Sequence, residues 1–446
     1  KSILNFWREE SVFDKSLGEK NKDYNFYEGP PSANGMPGIH HVIARTIKDL
    51  FCRYKTLKGF NVYRKAGWDT HGLPVELGVE KELNITKEDI GTKISIEDYN
   101  KACKVNVMKY QASWEEITEK MGYWVDMKSP YITYDNKYIE SVWWLLKQLY
   151  DKNLLYKGHT VQPFSPKAWT GLSTHEFNQP GCYRNVKDTS AIAQFKILKN
   201  NQSNFLFEKT DKSIFLIAWT TTPWTLPSNT ALAVGKKIIY LLVETISQYN
   251  GEIYCVVLAK DLLAKHFKAE NENTSFNDYE VGNKSRPYVI LEEFSGDRLV
   301  GLIYDQLLKY AVPKNGDAFK VLSGDFVTTE DGTGIVHLAP SFGADDNKVA
   351  KQNGIGSLTL VDEQGRFTKE VSDFYGQYVK DEFYTDNDSK PRLPADVQII
   401  IKLKESGLLF NSEKYEHSYP HCWRTDKPIL YYPMDSWFVK TTEHKK

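Results

Sequence analysis

The stretch Tyr27-Glu28-Gly29-Pro30-Pro31-Ser32-Ala33-Asn34-Gly35-Met36-Pro37-Gly38-Ile39-His40-His41 leaves this chain few ways to fold. Aromatic strand formers at Tyr24, Phe26 and Tyr27 run into prolines and glycines. Ile43, Ile47, Leu50, Phe51 and Tyr54 then recur at helical spacing, with Gly59 as a stop. The pattern predicts a strand end, a tight turn and a long helix. Such a unit seats nucleotides, because the N–H groups of a helix start point at phosphates and glycine admits a close approach. His40 and His41 add side-chain donors at that start. A surface turn carrying two histidines has the same local sequence, so the stretch alone leaves both readings open.

Up to about Tyr156 the chain alternates short strands with helices, as in an α/β domain: Asn61 to Tyr63 reads as a strand, Asp98 to Met121 as one long helix, and Lys137 to Lys152 as another. After Gly158 the texture changes. Ile192 to Ile197, Ile214 to Thr220, Ile239 to Glu244 and Ile253 to Ala259 are β-branched or aromatic runs between polar turns, which predicts a largely β module. Glu270 to Asn277 and Asp386 to Pro394 read as exposed loops, and Asp396 to Ser406 as a helix. A length of 446 residues suits two or three domains.

Lys and Arg number 57 against 58 Asp and Glu, so no net charge announces a nucleic-acid partner and any basic surface must be local. The five cysteines, Cys52, Cys103, Cys182, Cys255 and Cys422, are odd in number and form no Cys-x-x-Cys pair. Neither a disulfide framework nor a structural zinc is expected, and a reducing, cytoplasmic setting fits. No apolar run is long enough to span a bilayer, and Lys1 to Glu10 does not read as a signal peptide.

Several motifs occur in order: Gly29-Pro30-Pro31-Ser32-Ala33-Asn34-Gly35, the histidine pair, Gly67-Trp68-Asp69-Thr70-His71-Gly72-Leu73-Pro74, Trp219-Thr220-Thr221-Thr222-Pro223-Trp224-Thr225-Leu226-Pro227-Ser228-Asn229, Gly332-Thr333-Gly334-Ile335-Val336-His337-Leu338-Ala339-Pro340, and Tyr419-Pro420-His421-Cys422-Trp423-Arg424. Together they resemble the class I aminoacyl-tRNA synthetases, in particular the isoleucine-specific branch. Valine-specific members typically carry Thr-Thr-Arg-Pro-Glu-Thr where this chain has Thr221-Thr222-Pro223-Trp224-Thr225-Leu226-Pro227.

The resemblance implies an α/β fold, a Rossmann-like catalytic domain split by a β-rich editing domain, also called the connective polypeptide. Its first half would span 1–158, the editing insertion 159–415, and the return into the catalytic domain 416–446. It implies ATP-dependent activation of isoleucine, with Mg²⁺ arriving on the ATP, then transfer to tRNA(Ile) and hydrolysis of valyl-tRNA(Ile). A monomer with no membrane partner is expected. Gly29, Pro30 and Asp69 would form the amino-acid pocket, Asp69 holding the ammonium and Trp437 lining the side-chain slot. Thr220, Thr221, Thr222, Asn229, His337 and Asp346 would form the editing site, Asp346 on the ammonium of the mischarged amino acid. Taken singly, Asp69 could cap a turn, Trp437 and His337 could be core residues, and the threonines could belong to an ordinary strand.

Three departures from the family stand out. Its His-x-Gly-His signature is here Gly38-Ile39-His40-His41, so the first histidine is glycine and the glycine is histidine. The expectation is that His40 takes over the phosphate contact of the missing histidine, with Gly38 taking a positive φ to let the backbone turn. Ser341-Phe342-Gly343 stands where the family often has Gly-His-Gly. The family's Lys-Met-Ser-Lys-Ser motif is absent, which points to a longer protein. A valine ligase, an editing-only protein and a tRNA-binding paralogue without ligase activity remain the alternatives.

Overall fold

The computed structural model describes residues 1–18, 22–385 and 388–445, so part of the expected loop at Asp386 to Pro394 lies outside the described residues. The chain forms two compact units: Lys1–Tyr156 with Phe438–Lys446, and Lys157–Trp437. The second is thus inserted into the first. Two strands carry the chain across, β3 (Leu155–Ser165) and β13 (Leu430–Val439), neighbours in one three-stranded sheet. Among the described residues no helix is long and apolar enough to cross a membrane.

In the first unit the long helix α1 runs Ile39–Leu57, and Gly59 follows it with a φ of +86°. Among the described residues the aromatic run before it forms no strand; the residue ahead of it, Asp23, makes an isolated bridge to Asn61. The expected strand at Asn61 to Tyr63 lies instead at β1 (Lys65–Trp68), parallel to β2 (Asp126–Ile132). The reason is Gly67. A Cβ there would lie 2.4 Å from the Tyr131 ring, so the missing side chain lets Tyr131 lie across β1 and donate its hydroxyl to the Glu28 carbonyl at 2.9 Å. Gly67→Ala is expected to cost roughly 1–3 kcal/mol through this overpacking, read as a lower urea midpoint.

After α2 (Leu73–Leu83), the single helix expected from Asp98 to Met121 is two, α3 (Ile96–Val107) and α4 (Gln111–Lys120). Tyr110 turns its N–H away from the helix to the Ala33 carbonyl, at 2.9 Å. One turn later the Trp114 indole N–H reaches the Gly35 carbonyl at 2.8 Å. The break therefore docks α4 on the Pro/Gly turn, and Ala33, Trp68 and Trp114 close into a buried cluster. Helix α5 (Asn136–Asp151) matches its expected span, but Trp143 is 69% exposed and the apolar row of α1 is also exposed.

The second unit is built on a six-stranded sheet. Its strands are β4 (Tyr183–Lys196), β5 (Ile214–Thr220), β7 (Ile239–Ile246), β8 (Ile253–Ala259), β9 (Tyr288–Ser295) and β12 (Leu409–Pro420), with β6 (Ala231–Val234) leaving for a smaller sheet. The order is β9-β7-β8-β5-β4-β12, antiparallel except for β5 and β8. These runs read as continuous apolar stretches because both faces are covered. Leu216, Leu242 and Val257 face one buried cluster, while Phe215, Ile217, Val243 and Val256 face another.

A three-stranded sheet, β10 (Lys320–Ser323), β6 and β11 (Ile335–Leu338), carries the later motifs, followed by α6 (Ala344–Gln352) and α7 (Ala395–Glu405). The segment 416–437, expected with the return, packs in the second unit. Strand β12 pairs with β4 from Leu409 to Pro420, and Cys422, Leu430 and Tyr432 are buried beyond it.

Candidate functional site

Each unit holds a cavity of its own. In the first, about 410 Å³ is enclosed by the Pro/Gly turn, the start of α1 and α4, with Gly29, Pro30, Asn34, His41, Arg45 and Lys48 in its lining. His41, Arg45 and Lys48 recur at i, i+4 and i+7 on α1, a spacing that marks one helix face and that the sequence reading passed over. Lys48 pairs with the buried carboxylate of Glu28, which also accepts from the Tyr123 hydroxyl. Arg45 reaches the Thr118 hydroxyl and lies over the Trp114 ring, 5.1 Å from its centroid. Both cations of the lining are therefore already held by protein partners, Arg45 by Thr118 and Trp114 and Lys48 by Glu28.

The histidine pair departs from expectation in an informative way. Gly38 has φ −103° and ψ 171°, extended backbone that any residue adopts, so positive φ is not why glycine stands there. The reason is space. A Cβ on Gly38 would lie 2.8 Å from Cε1 of His40, whose ring folds back over the glycine. That ring sits 3.8 Å from the His41 ring, and His41 in turn meets Trp114 edge-on at 4.6 Å. Gly38 donates its N–H to Nδ1 of His41 at 2.9 Å, so the neutral ring carries its proton on Nε2 and presents a donor. Burial, then the neighbouring His40 and Arg45, lower the His41 pKa and favour that neutral form. His41 lines the cavity; Gly38 and His40 are outside its lining.

Asp69 lies outside that lining too, yet its N–H bonds the Pro31 carbonyl at 3.0 Å, tying the two motifs together. Its carboxylate takes a long bond of 3.5 Å from the His71 N–H. Trp437 belongs to the second unit, on β13, and is 61% exposed.

In the second unit a cavity of about 420 Å³ is lined by Thr220, Thr221, Thr222, Thr225, His337, Phe342, Gly343 and Asp346, with Trp219 and Phe326 farther along. It gathers most of the expected residues from β5, β11 and α6. Asn229 stands behind it and orients His337. The Asn229 amide nitrogen bonds the Ala231 carbonyl at 2.9 Å and Nδ1 of His337 at 3.3 Å, while its oxygen accepts from Tyr304 at 2.7 Å. Nδ1 is thus an acceptor, and the Nε2 proton goes to the Thr225 hydroxyl at 2.9 Å, which passes its own to the Thr222 carbonyl at 2.8 Å. Loss of water around the ring pushes His337 down to about 4, so at neutral pH it is an uncharged donor and not a base. The sequence reading missed Thr225, which continues the Thr row after Pro223-Trp224.

Asp346 folds back to accept the Ala339 N–H at 2.8 Å. Gly343 makes that possible, since a Cβ there would lie 2.6 Å from the Asp346 carboxyl carbon. Burial pushes this carboxyl up to about 6, against the Ala339 bond that favours its charge. A buried carboxylate with little compensation suits a cationic group. Phe342, at the position of the family's histidine, is an apolar wall packed edge-on against Trp224 at 5.2 Å. Among the described residues no three His, Cys, Asp or Glu side chains gather as a metal-ligand set.

The model of the class I tRNA synthetases (I, L, M and V) matches residues 2–446. The isoleucine–tRNA ligase of Cytophaga hutchinsonii is 56% identical across all of this chain and 41% of its own length. That of Bacteroides fragilis is 54% identical over the same shares. That of Clostridium tetani is 45% identical over 99% of this chain and 38% of its own. The chain spans about two fifths of the length of these curated relatives.

Proposed function

The chain belongs to the class I tRNA synthetases of the I, L, M and V group, and from that premise we propose that it carries the activating site and the hydrolytic site of an isoleucine–tRNA ligase. In the first unit, ATP with its Mg²⁺ and isoleucine react at the Pro/Gly turn. The isoleucine carboxylate attacks the α-phosphate, giving isoleucyl-adenylate and pyrophosphate, and the acyl group then passes to tRNA(Ile). No covalent protein intermediate is required. Positioning and charge stabilisation carry the step, with the Nε2–H of His41, and Arg45 and Lys48, as the donors toward phosphate. His40 takes the place of a side chain at residue 38, Pro30 and Gly29 flank the amino acid, and Asp69 holds its ammonium.

The part of the second unit from 159 to 415 is proposed as the editing domain. One methylene separates isoleucine from valine and is worth only about 1–3 kcal/mol in an apolar pocket, the known limit for enzymes that choose between these two amino acids. A hydrolytic site that clears valyl-tRNA(Ile) answers that limit. Asp346 would hold the ammonium of the valyl group. The threonine row would stand at the ester and its attacking water, and neutral His337, held by Asn229, would keep Thr225 in place. Residues 1–158 and the chain beyond 415 are proposed to serve activation and 159–415 to serve editing. The enzyme is proposed to act as a monomer in the cytoplasm.

The observation that supports the reading is that the Pro/Gly turn and His41 line one cavity together with Arg45 and Lys48, while the threonine and His337 motifs line a second, on the other unit, with hydroxyls and a buried carboxylate. Isoleucine-dependent ATP–pyrophosphate exchange by the full-length protein, with valine and leucine alongside, tests the first. Deacylation of valyl-tRNA(Ile) tests the second. Exchange strongest with isoleucine, together with hydrolysis of the valyl ester, is expected. Exchange strongest with valine would favour the valine ligase, and hydrolysis without exchange would favour an editing-only protein.

A further inference from the structure

The turn bearing Thr222 and Thr225 is a short 3-10 helix, Pro223–Ser228, and all six of its residues are buried. The N–H groups of a helical first turn have no partner within the helix, and a buried one left unpaired is costly. At Trp224 the partner comes from far along the chain. Asp396, in the first turn of α7 and 7% exposed, accepts the Trp224 N–H at 2.8 Å through Oδ1. Its other oxygen lies 3.9 Å from Nζ of Lys380, itself buried and bonded to Asp188 at 2.8 Å. Asp188 also accepts from His417 at 3.1 Å. A buried ion cluster therefore stands behind the cavity, and Asp396 links it to the turn that frames the cavity.

We infer that Asp396 is a positioning residue for the hydrolytic site, holding the Thr222–Thr225 turn in register with His337 through the Trp224 N–H. The inference rests on the proposed editing function of this cavity. Asp396 is outside the cavity lining and acts through the turn: Thr225 both accepts from His337 and donates to the Thr222 carbonyl. The ring of Trp224, whose N–H Asp396 holds, packs edge-on against Phe342, a lining residue one before Gly343. Burial pushes the Asp396 carboxyl up to about 7 against the pull of Lys380. Oδ1 accepts a hydrogen bond in either protonation state, so geometry at Trp224, and not charge, is the quantity to vary.

Two substitutions separate the two. Asp396→Asn keeps an acceptor at the same place and removes the charge. Asp396→Glu keeps the charge and moves the oxygen by one methylene. In the full-length protein, single-turnover and steady-state deacylation of valyl-tRNA(Ile) are measured, with isoleucine-dependent exchange as the check on folding. Asp396→Asn is expected within about threefold of wild type. Asp396→Glu is expected to lose at least about tenfold in kcat with KM for the tRNA within about twofold, and exchange is unchanged in both. Loss in Asp396→Asn with retention in Asp396→Glu would show that charge is the lever and overturn the inference. So would unchanged kcat in both, or equal loss in both. Hydrolysis by wild type with an unaffected Asp396→Glu sinks the inference alone, whereas no hydrolysis by wild type removes the editing reading and the inference with it.

Discussion

Gly38→His alone is expected to lower isoleucine-dependent ATP–pyrophosphate exchange by about two orders of magnitude, and the double change Gly38→His/His40→Gly to bring it back within a few-fold. The argument is steric. The new Cβ would fall 2.8 Å from Cε1 and 3.0 Å from Nδ1 of His40. Those atoms are the far end of a flexible side chain, so the ring swings away while the helix stays. It then loses its place 3.8 Å from the His41 ring, and His41 loses a neighbour that helps fix it. Misplacing a positioning group by about 1 Å costs about 10²-fold in rate. The thermal midpoint is expected to change little, because Gly38, His40 and His41 are all outside the buried core. In the double variant residue 38 supplies the ring and residue 40 the space, the order usual in the family. Inactivity of the double variant, with an unchanged melt, would refute the idea that the two arrangements are interchangeable.

Hydrolysis of valyl-tRNA(Ile) is expected to fall as pH drops through about 6, and Asp346→Asn to lose roughly 10- to 150-fold at pH 7.5, the value of a hydrogen bond to a charged group at about 1.5–3 kcal/mol. The carboxyl is pushed up to about 6 by burial. Above that value it is charged and holds an ammonium; below it the charge is lost. The pH profile of kcat/KM reports the free protein, so a limb near 6 is expected in wild type and absent in Asp346→Asn. Stability moves the other way. A carboxyl whose folded-state pKa exceeds its unfolded value of about 4 binds its proton more tightly when folded, so ionisation costs stability as pH rises from about 4 to 6. Above pH 6 Asp346→Asn is therefore expected to melt higher than wild type while hydrolysing more slowly. A variant both less stable and less active would mean that Asp346 serves the fold through Ala339 and not the substrate.

Local residue chemistry determined a good deal here. The long helix α1, the four β-branched runs and the change of texture after Gly158 follow from side-chain periodicity and turn residues, which act over a few positions and need no partner. The ordered motifs named the family and most of the residues that line the second cavity. Tertiary structure decided the rest, because each remaining feature depends on an atom far away in sequence. The helix expected over 98–121 is broken by a carbonyl at Ala33. Gly38 is glycine because of where the His40 ring lies, not because of its own φ. Strand β12 keeps 416–420 in the second unit through its pairing with β4, more than two hundred residues earlier. The tautomer of His337 is set by Asn229 and Tyr304, and the turn before Asn229 by Asp396. Periodicity predicts which segments become helix or strand; hydrogen-bond partners and excluded volume, which exist only once the chain has closed on itself, decide where those segments stop and which way their polar groups face.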